Sequence, residues 1–161
     1  MSILDELNVE QRKAAEKIEG PVLILAGAGS GKTRTVTYRI AHMIKEMGIS
    51  PLNILALTFT NKAAKEMKER AEQLVGSDSH NLAISTFHSF AVRLLKTYAD
   101  RIGYGRNFNI YDVDDQKSLI GKIIKELNIN SDEISPSKVA NRISKLKEDG
   151  IGVKELEKEI D

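Results

Sequence analysis

Apolar positions along the chain change their period several times, and each change predicts an element. Asn8 and Gln11 have the spacing of a helix cap and its third-position partner, opening a helix through Ile18 that Gly20 and Pro21 terminate. Val22 to Ala26 follow as an uninterrupted apolar run. With both faces apolar, it fits a strand of a parallel sheet covered on both sides by helices, so a buried strand is predicted there. After a glycine-rich segment, Val36, Ile40, Met43, Ile44 and Met47 share one helical face, and Gly48 closes that helix. Ile54 to Phe59 read as a second strand. Ala64, Met67, Ala71, Leu74 and Val75 stripe a third helix ending at Gly76, and a third strand is expected at Leu82 to Ser85. Phe87, Phe90, Ala91, Leu94, Leu95, Tyr98 and Ile102 then recur at helical spacing up to Gly103.

Alternation of strand and helix is the mark of a parallel α/β sheet with right-handed crossovers. The pattern changes after residue 106. A short strand is expected at Phe108 to Tyr111, then a helix striped by Leu119, Ile120, Ile123, Ile124 and Leu127. A turn follows at Asn130 to Glu133, and a second helix is capped by Ser135 with Pro136 at its first position. The expected organisation is an α/β domain over residues 1–108, incomplete as a sheet, and the start of a mostly helical subdomain over 109–161. The closing residues, Val153 to Asp161, have helix-forming composition without a stop signal, so the chain reads as interrupted there.

Composition narrows the class. With 41% hydrophobic and 29% charged residues the chain can bury a core. No apolar run approaches the roughly 18 residues of a membrane span, and the start is polar and acidic, unlike a secretion signal. A cytoplasmic protein without membrane partners is therefore expected. There is no cysteine, so any metal is expected to come through oxygen ligands. The net charge of +1 makes no global case for nucleic acid, although the middle of the chain is mildly basic and the tail acidic.

The sharpest chemical signal is Ala26-Gly27-Ala28-Gly29-Ser30-Gly31-Lys32-Thr33, placed between an expected strand and an amphipathic helix. In that context a glycine-rich loop curls its N–H groups around phosphate oxygens and the helix N-terminus adds positive potential. Lys32 reaches the β and γ phosphates and Thr33 ligates magnesium, which makes these two the candidate catalytic residues. The segment departs from the strict phosphate-loop pattern at Ala26, where a first glycine would stand, and alanine is nearly as small.

Three further segments narrow the choice: Leu7-Asn8-Val9-Glu10-Gln11, Thr58-Phe59-Thr60-Asn61-Lys62-Ala63-Ala64 and Thr86-Phe87-His88-Ser89-Phe90. Together with the loop they resemble the UvrD/Rep/PcrA helicases of superfamily 1, a likeness traceable from about residue 7 through Asp115. The resemblance implies a P-loop NTPase (RecA-like) fold and an ATP-dependent DNA helicase moving 3′ to 5′ on single-stranded DNA, with ATP and Mg2+ as cofactors. DNA repair or replication would be its setting. It implies that Gln11 reads the adenine edge and that Arg34, directly after the loop, packs on the base. It further implies single-strand contacts at Thr58, Phe59, Thr60, Asn61, Thr86, Phe87 and His88. Single strands, single-strand to duplex junctions and the remainder of the parent chain with its second motor domain would then be the partners.

Most of these residues have a plainer reading. Gln11 completes a capping box with Asn8, Asn61 can cap the helix that follows it, and Phe59 can end the core of its strand. Phe87 and Phe90 sit on the apolar stripe. No apolar strand ending in Asp or Asp-Glu, the usual second acidic motif of P-loop hydrolases, is identifiable; Asp112, Asp114 and Asp115 lie past the change of pattern. The chain alone is therefore expected to bind ATP and single strands weakly without turnover. Two other readings stay open: a complete small-molecule P-loop kinase, and a non-enzymatic nucleotide-gated nucleic-acid binder.

Overall fold

Glycines and short polar side chains decide where the elements begin and end. A computed structural model describes residues 2–129 and 134–160. By their internal contacts they fall into two compact units, Met1–Arg106 and Asn107–Asp161. The turn expected at Asn130 to Glu133 lies outside the described residues.

In the first unit a 3-10 turn over Ile3–Glu6 leads into α1 (Val9–Glu16), whose Asn8–Gln11 capping box is formed. Then come α2 (Lys32–Lys45), β1 (Leu55–Thr58), α3 (Asn61–Val75), β2 (Ala83–Thr86) and α4 (Phe87–Tyr98). β1 and β2 pair in parallel, with Leu55 opposite Ala83 and Thr58 opposite Thr86, and α3 is the crossover between them. Gly76 ends α3 at φ 65°, a conformation that costs glycine little. The core lies where the stripes of α2 and α3 meet the strand entrances, with Ile40, Ala41, Ile44, Met67, Ala71 and Val75 buried against Ile54 and Leu82. Ala41 and Ala71, both fully buried, let the helices approach closely. Each large aliphatic side chain here contributes about 1.5 to 3 kcal/mol of burial.

A smaller cluster of Leu4, Leu7, Ala15 and Tyr38 fastens the N-terminal turn and α1 to α2. Polar contacts reinforce it. The Glu46 carboxylate accepts from the Ile3 N–H at 2.6 Å and the Ser2 hydroxyl at 2.9 Å, and lies 2.7 Å from His42 Nδ1. The Ile3 N–H, with smaller help from His42 and Ser2, holds the Glu46 carboxyl below its ordinary value. Asp5 and Glu16 both pair with Arg12, at 2.8 and 2.7 Å.

The second unit holds α5 (Val113–Glu126), α6 (Pro136–Glu148) and α7 (Val153–Ile160). Asp112 and Asp115 form a capping box at the head of α5; Ser135 and Pro136 begin α6 as the sequence predicts. α5 and α6 lie together, with Gly121 opposite Pro136 and Ile124 and Leu146 buried.

Several expectations fail. Val22 to Ala26 form no strand and are not buried: Leu23 is 83% exposed and Leu25 86%. An apolar run becomes a central strand only when neighbours pair with it, and among the described residues the sheet contains β1 and β2 alone. Phe108 to Tyr111 is likewise no strand, since nothing pairs with it there. The fold is thus mixed α/β with a two-stranded parallel sheet where three or more strands were expected. Asn61 is the first residue of α3 and Thr60 is its cap, accepting from the Ala63 N–H at 3.1 Å. The α4 stripe is helical as expected but largely uncovered, with Phe87, Leu94, Leu95 and Tyr98 all exposed.

Candidate functional site

α2 differs from its neighbours at its first turn. α1, α3, α4, α5 and α6 each have a side chain that accepts a first-turn N–H, from Asn8, Thr60, Thr86, Asp112 and Ser135 respectively. The cap of α2 is Gly31, at φ 85°, which has no side chain to do so. A helix start leaves N–H groups without intrahelical partners, and here they face an exposed loop, which makes a ready anion site. Gly29 also has positive φ, 76°, so the loop turns twice through backbone that L side chains rarely adopt.

The polar side chains around this opening bond to the loop itself. Lys32 Nζ donates to the carbonyls of Ala26, at 3.0 Å, and Gly27, at 2.6 Å. The Ser30 hydroxyl donates to the Gly27 carbonyl at 2.8 Å. Gln11 uses its two ends separately: its carbonyl accepts the Asn8 N–H of the capping box, and its Nε2 donates to the Ser30 carbonyl at 2.9 Å. A Cβ on Gly31 would stand 2.7 Å from that nitrogen, so the Gln11 amide would have to shift, while the φ of 85° is what favours glycine there. Capping and loop contact therefore coexist in Gln11. Thr33 follows Lys32 in the first turn, half-buried, a position from which a hydroxyl can take one face of a magnesium ion beside loop-bound phosphates. The oxygen, ammonium and free N–H donors fit a magnesium nucleotide.

Arg34 is held on its other side. Its Nη2 donates to the Glu6 carbonyl at 3.0 Å and lies 3.5 Å from the Glu6 carboxylate, while its guanidinium sits 5.2 Å from the Tyr38 ring centre. The Tyr38 hydroxyl donates to the same carboxylate, which, with burial, pushes the phenol above its ordinary value. The sequence reading missed Glu6 and Tyr38. The Arg34 to Tyr38 spacing of one helical turn was a visible signal; the link to Glu6 spans 28 positions and was not.

Beside the loop, a cleft of about 560 Å3 opens between α1 and residues 22–26, bounded by Gln11, Lys13, Leu23, Leu25, Ser30 and Lys32. Its floor is the segment without sheet neighbours, and Thr33 and Arg34 do not line it.

The second group of candidate residues gathers at the carboxyl ends of β1 and β2. Thr58 and Thr86 are opposite in the register. Phe59, 88% exposed, and Phe87 place their rings 5.4 Å apart at 43°, and Asn61 and His88 are exposed beside them. Thr86 is different: it is 7% exposed, caps α4 by accepting from the Ser89 N–H and donates to the Ser89 hydroxyl. Thr60 is similarly engaged as the cap of α3.

With this geometry in place, comparison with known proteins is decisive. The family described as UvrD/REP helicase N-terminal domain matches residues 7–161. The chain belongs to the UvrD/Rep helicase family. It is 52% identical over 146 residues to the ATP-dependent DNA helicase PcrA of Staphylococcus aureus strain Mu50, a match covering 91% of this chain and 20% of that protein. It is 53% identical over 146 residues, with the same coverage, to PcrA of Staphylococcus epidermidis strain RP62A. The chain spans about a fifth of the length of these curated relatives. No helix among the described residues is long and apolar enough to cross a membrane.

Proposed function

We propose that the chain is the ATP-binding part of a DNA helicase motor that moves 3′ to 5′ on single strands and opens duplex at junctions. In this reading residues 1–108 belong to the RecA-like motor domain and 109–161 begin its inserted helical subdomain, in a cytoplasmic protein that works with a second motor domain. The observation that carries it is the uncapped start of α2 behind a loop whose lysine and serine, and the amide nitrogen of the neighbouring Gln11, donate to the loop's own carbonyls. An incoming triphosphate replaces those carbonyls as the partner of Lys32 and takes the free first-turn N–H groups of Lys32 and Thr33. Thr33 would hold magnesium, which supplies neutralising charge for the β and γ phosphates. Gln11 and Arg34 flank the base, giving a preference for adenine. At the strand ends the exposed Phe59 and Phe87 faces offer stacking to bases, with Asn61 and His88 as phosphate or sugar donors. Thr58, Thr60 and Thr86 act there through the geometry they hold.

The chain as it stands binds ATP without hydrolysing it. Turnover needs a carboxylate on the far side of the metal and a cation for the charge that develops on the phosphates, the cation alone worth about 10³ to 10⁵ in rate. Asp112 and Asp115 are spent on the head of α5, where each accepts backbone N–H bonds. A phosphate-release assay with and without single-stranded DNA, using Lys32→Ala as the blank, tests this. We expect no release above the blank. DNA-stimulated release that disappears in Lys32→Ala would show that the second acid lies within these residues.

A further inference from the structure

Glu6 occupies a place that neither the loop nor the base-reading residues explain. It ends the N-terminal 3-10 turn, yet its carbonyl and carboxylate both meet the Arg34 guanidinium, at 3.0 and 3.5 Å, and the carboxylate also takes the Tyr38 hydroxyl. Tyr38 is buried and its ring lies under the guanidinium at 5.2 Å. Arg34 is thus backed by a fixed aromatic plane and gripped along one edge, while 47% of its side chain faces solvent. An exposed arginine in a helix's first turn would ordinarily sample many rotamers. Here two bonds and a ring select one before any ligand arrives. The N-terminal turn is itself pinned by the Asp5 pair with Arg12 and by the Ile3 and Ser2 bonds to Glu46, so Glu6 has a firm base.

We infer that Glu6, acting with Tyr38, is a positioning residue for the nucleotide base: it presets the Arg34 guanidinium as a flat platform on which an adenine packs. This rests on the reading of Arg34 as a base contact. A planar cation supported from behind by one ring is suited to take a second flat ring on its open face. The phosphates bind elsewhere, at the α2 start, so Glu6 should govern the base and leave the phosphates untouched. Pre-ordering lowers the cost of binding without adding a contact to the ligand, and the effect should be modest because the Glu6–Arg34 pair is partly exposed.

The test is calorimetric titration of the 161-residue chain with magnesium ATP and, separately, with magnesium tripolyphosphate, which has no base. Arg34→Ala should weaken ATP about fivefold. Glu6→Ala should weaken it about threefold to fourfold, and Tyr38→Phe, which keeps the ring and loses the hydroxyl, about twofold. Tripolyphosphate affinity should not change in any of the three. In an Arg34→Ala background Glu6→Ala should have no further effect on ATP, which a general loss of structure would not produce. If Arg34→Ala leaves ATP affinity unchanged, the base-contact reading fails and the inference falls with it. If Arg34→Ala weakens ATP while Glu6→Ala and Tyr38→Phe do not, the platform reading stands and the positioning role alone is overturned. Equal loss of ATP and tripolyphosphate would also overturn it. Should Glu6→Ala melt too low to titrate, Tyr38→Phe carries the same comparison.

Discussion

α2 begins differently from α3 and α4. At α3 and α4 a threonine hydroxyl accepts one first-turn N–H, and the side chains exposed beside it are aromatic faces. At α2 a glycine in left-handed conformation leaves the first turn open, and the nearby polar side chains bond weakly replaceable loop carbonyls. The difference teaches which chemistry each edge can do. An open helix start beside a lysine bonded to loop carbonyls is suited to an anion; capped starts beside exposed rings are suited to flat, stackable groups. Under the proposed function, the phosphate site and the base-stacking site would be built by opposite choices at the helix cap.

Removing a ring should have the largest effect on the second edge. Phe59→Ala is expected to cost about 1 to 3 kcal/mol of single-stranded oligonucleotide binding, read by fluorescence anisotropy, with no change in melting temperature because the ring is almost wholly exposed. Tight duplex binding that ignores this substitution would erase the contrast between the two edges.

Filling the open cap is the next largest. Gly31→Ala places a Cβ 2.7 Å from Gln11 Nε2 on backbone at φ 85°, so thermal unfolding should show a loss of about 1 to 2 kcal/mol, together with weaker ATP binding. Retention of both stability and affinity would mean that the loop can turn without glycine.

Emptying a closed cap should act on stability alone. Thr60→Val and Thr86→Val each remove a cap acceptor, and denaturant unfolding should show about 1 kcal/mol lost in each, with ATP affinity intact. A selective loss of nucleotide binding would argue against the division between the edges.

The smallest effect concerns the fastening of the N-terminal turn that carries Glu6. The Glu46 carboxyl is held below its ordinary value of 4.5, so its ionised form is favoured by the fold. That contribution is complete above the ordinary value and is lost as pH falls through the depressed one. The gap in melting temperature between the parent chain and Glu46→Gln should accordingly be constant near neutrality and narrow below about pH 4.5. A gap that does not respond to pH would remove the Ile3, Ser2 and His42 contacts from the account.

How much of this could be read beforehand varied with how local the cause is. Capping boxes at Asn8–Gln11, the proline start of α6 and the α2 and α3 stripes depend on neighbours a few positions away, and all were legible. Val22 to Ala26 were misread because being a buried strand is a property of partners, and the described partners are β1 and β2 paired to each other. The glycine-rich loop ahead of α2 was legible as a pattern, whereas its present bonding was not: which carbonyls Lys32 takes depends on how the loop folds back. Thr86 was read as a single-strand contact and is found buried and capping α4, with its hydroxyl taken up by Ser89. Glu6 escaped because its partners lie far along the chain.

The central claim is that the open start of α2 and Lys32 form the nucleotide's phosphate site. Calorimetric titration of magnesium ATP into the parent chain and into Lys32→Ala addresses it most directly. Measurable, weak binding by the parent and none by the variant at the same concentrations is expected, with both melting alike because Lys32 contacts only exposed loop carbonyls. Equal affinity in the two proteins would contradict it.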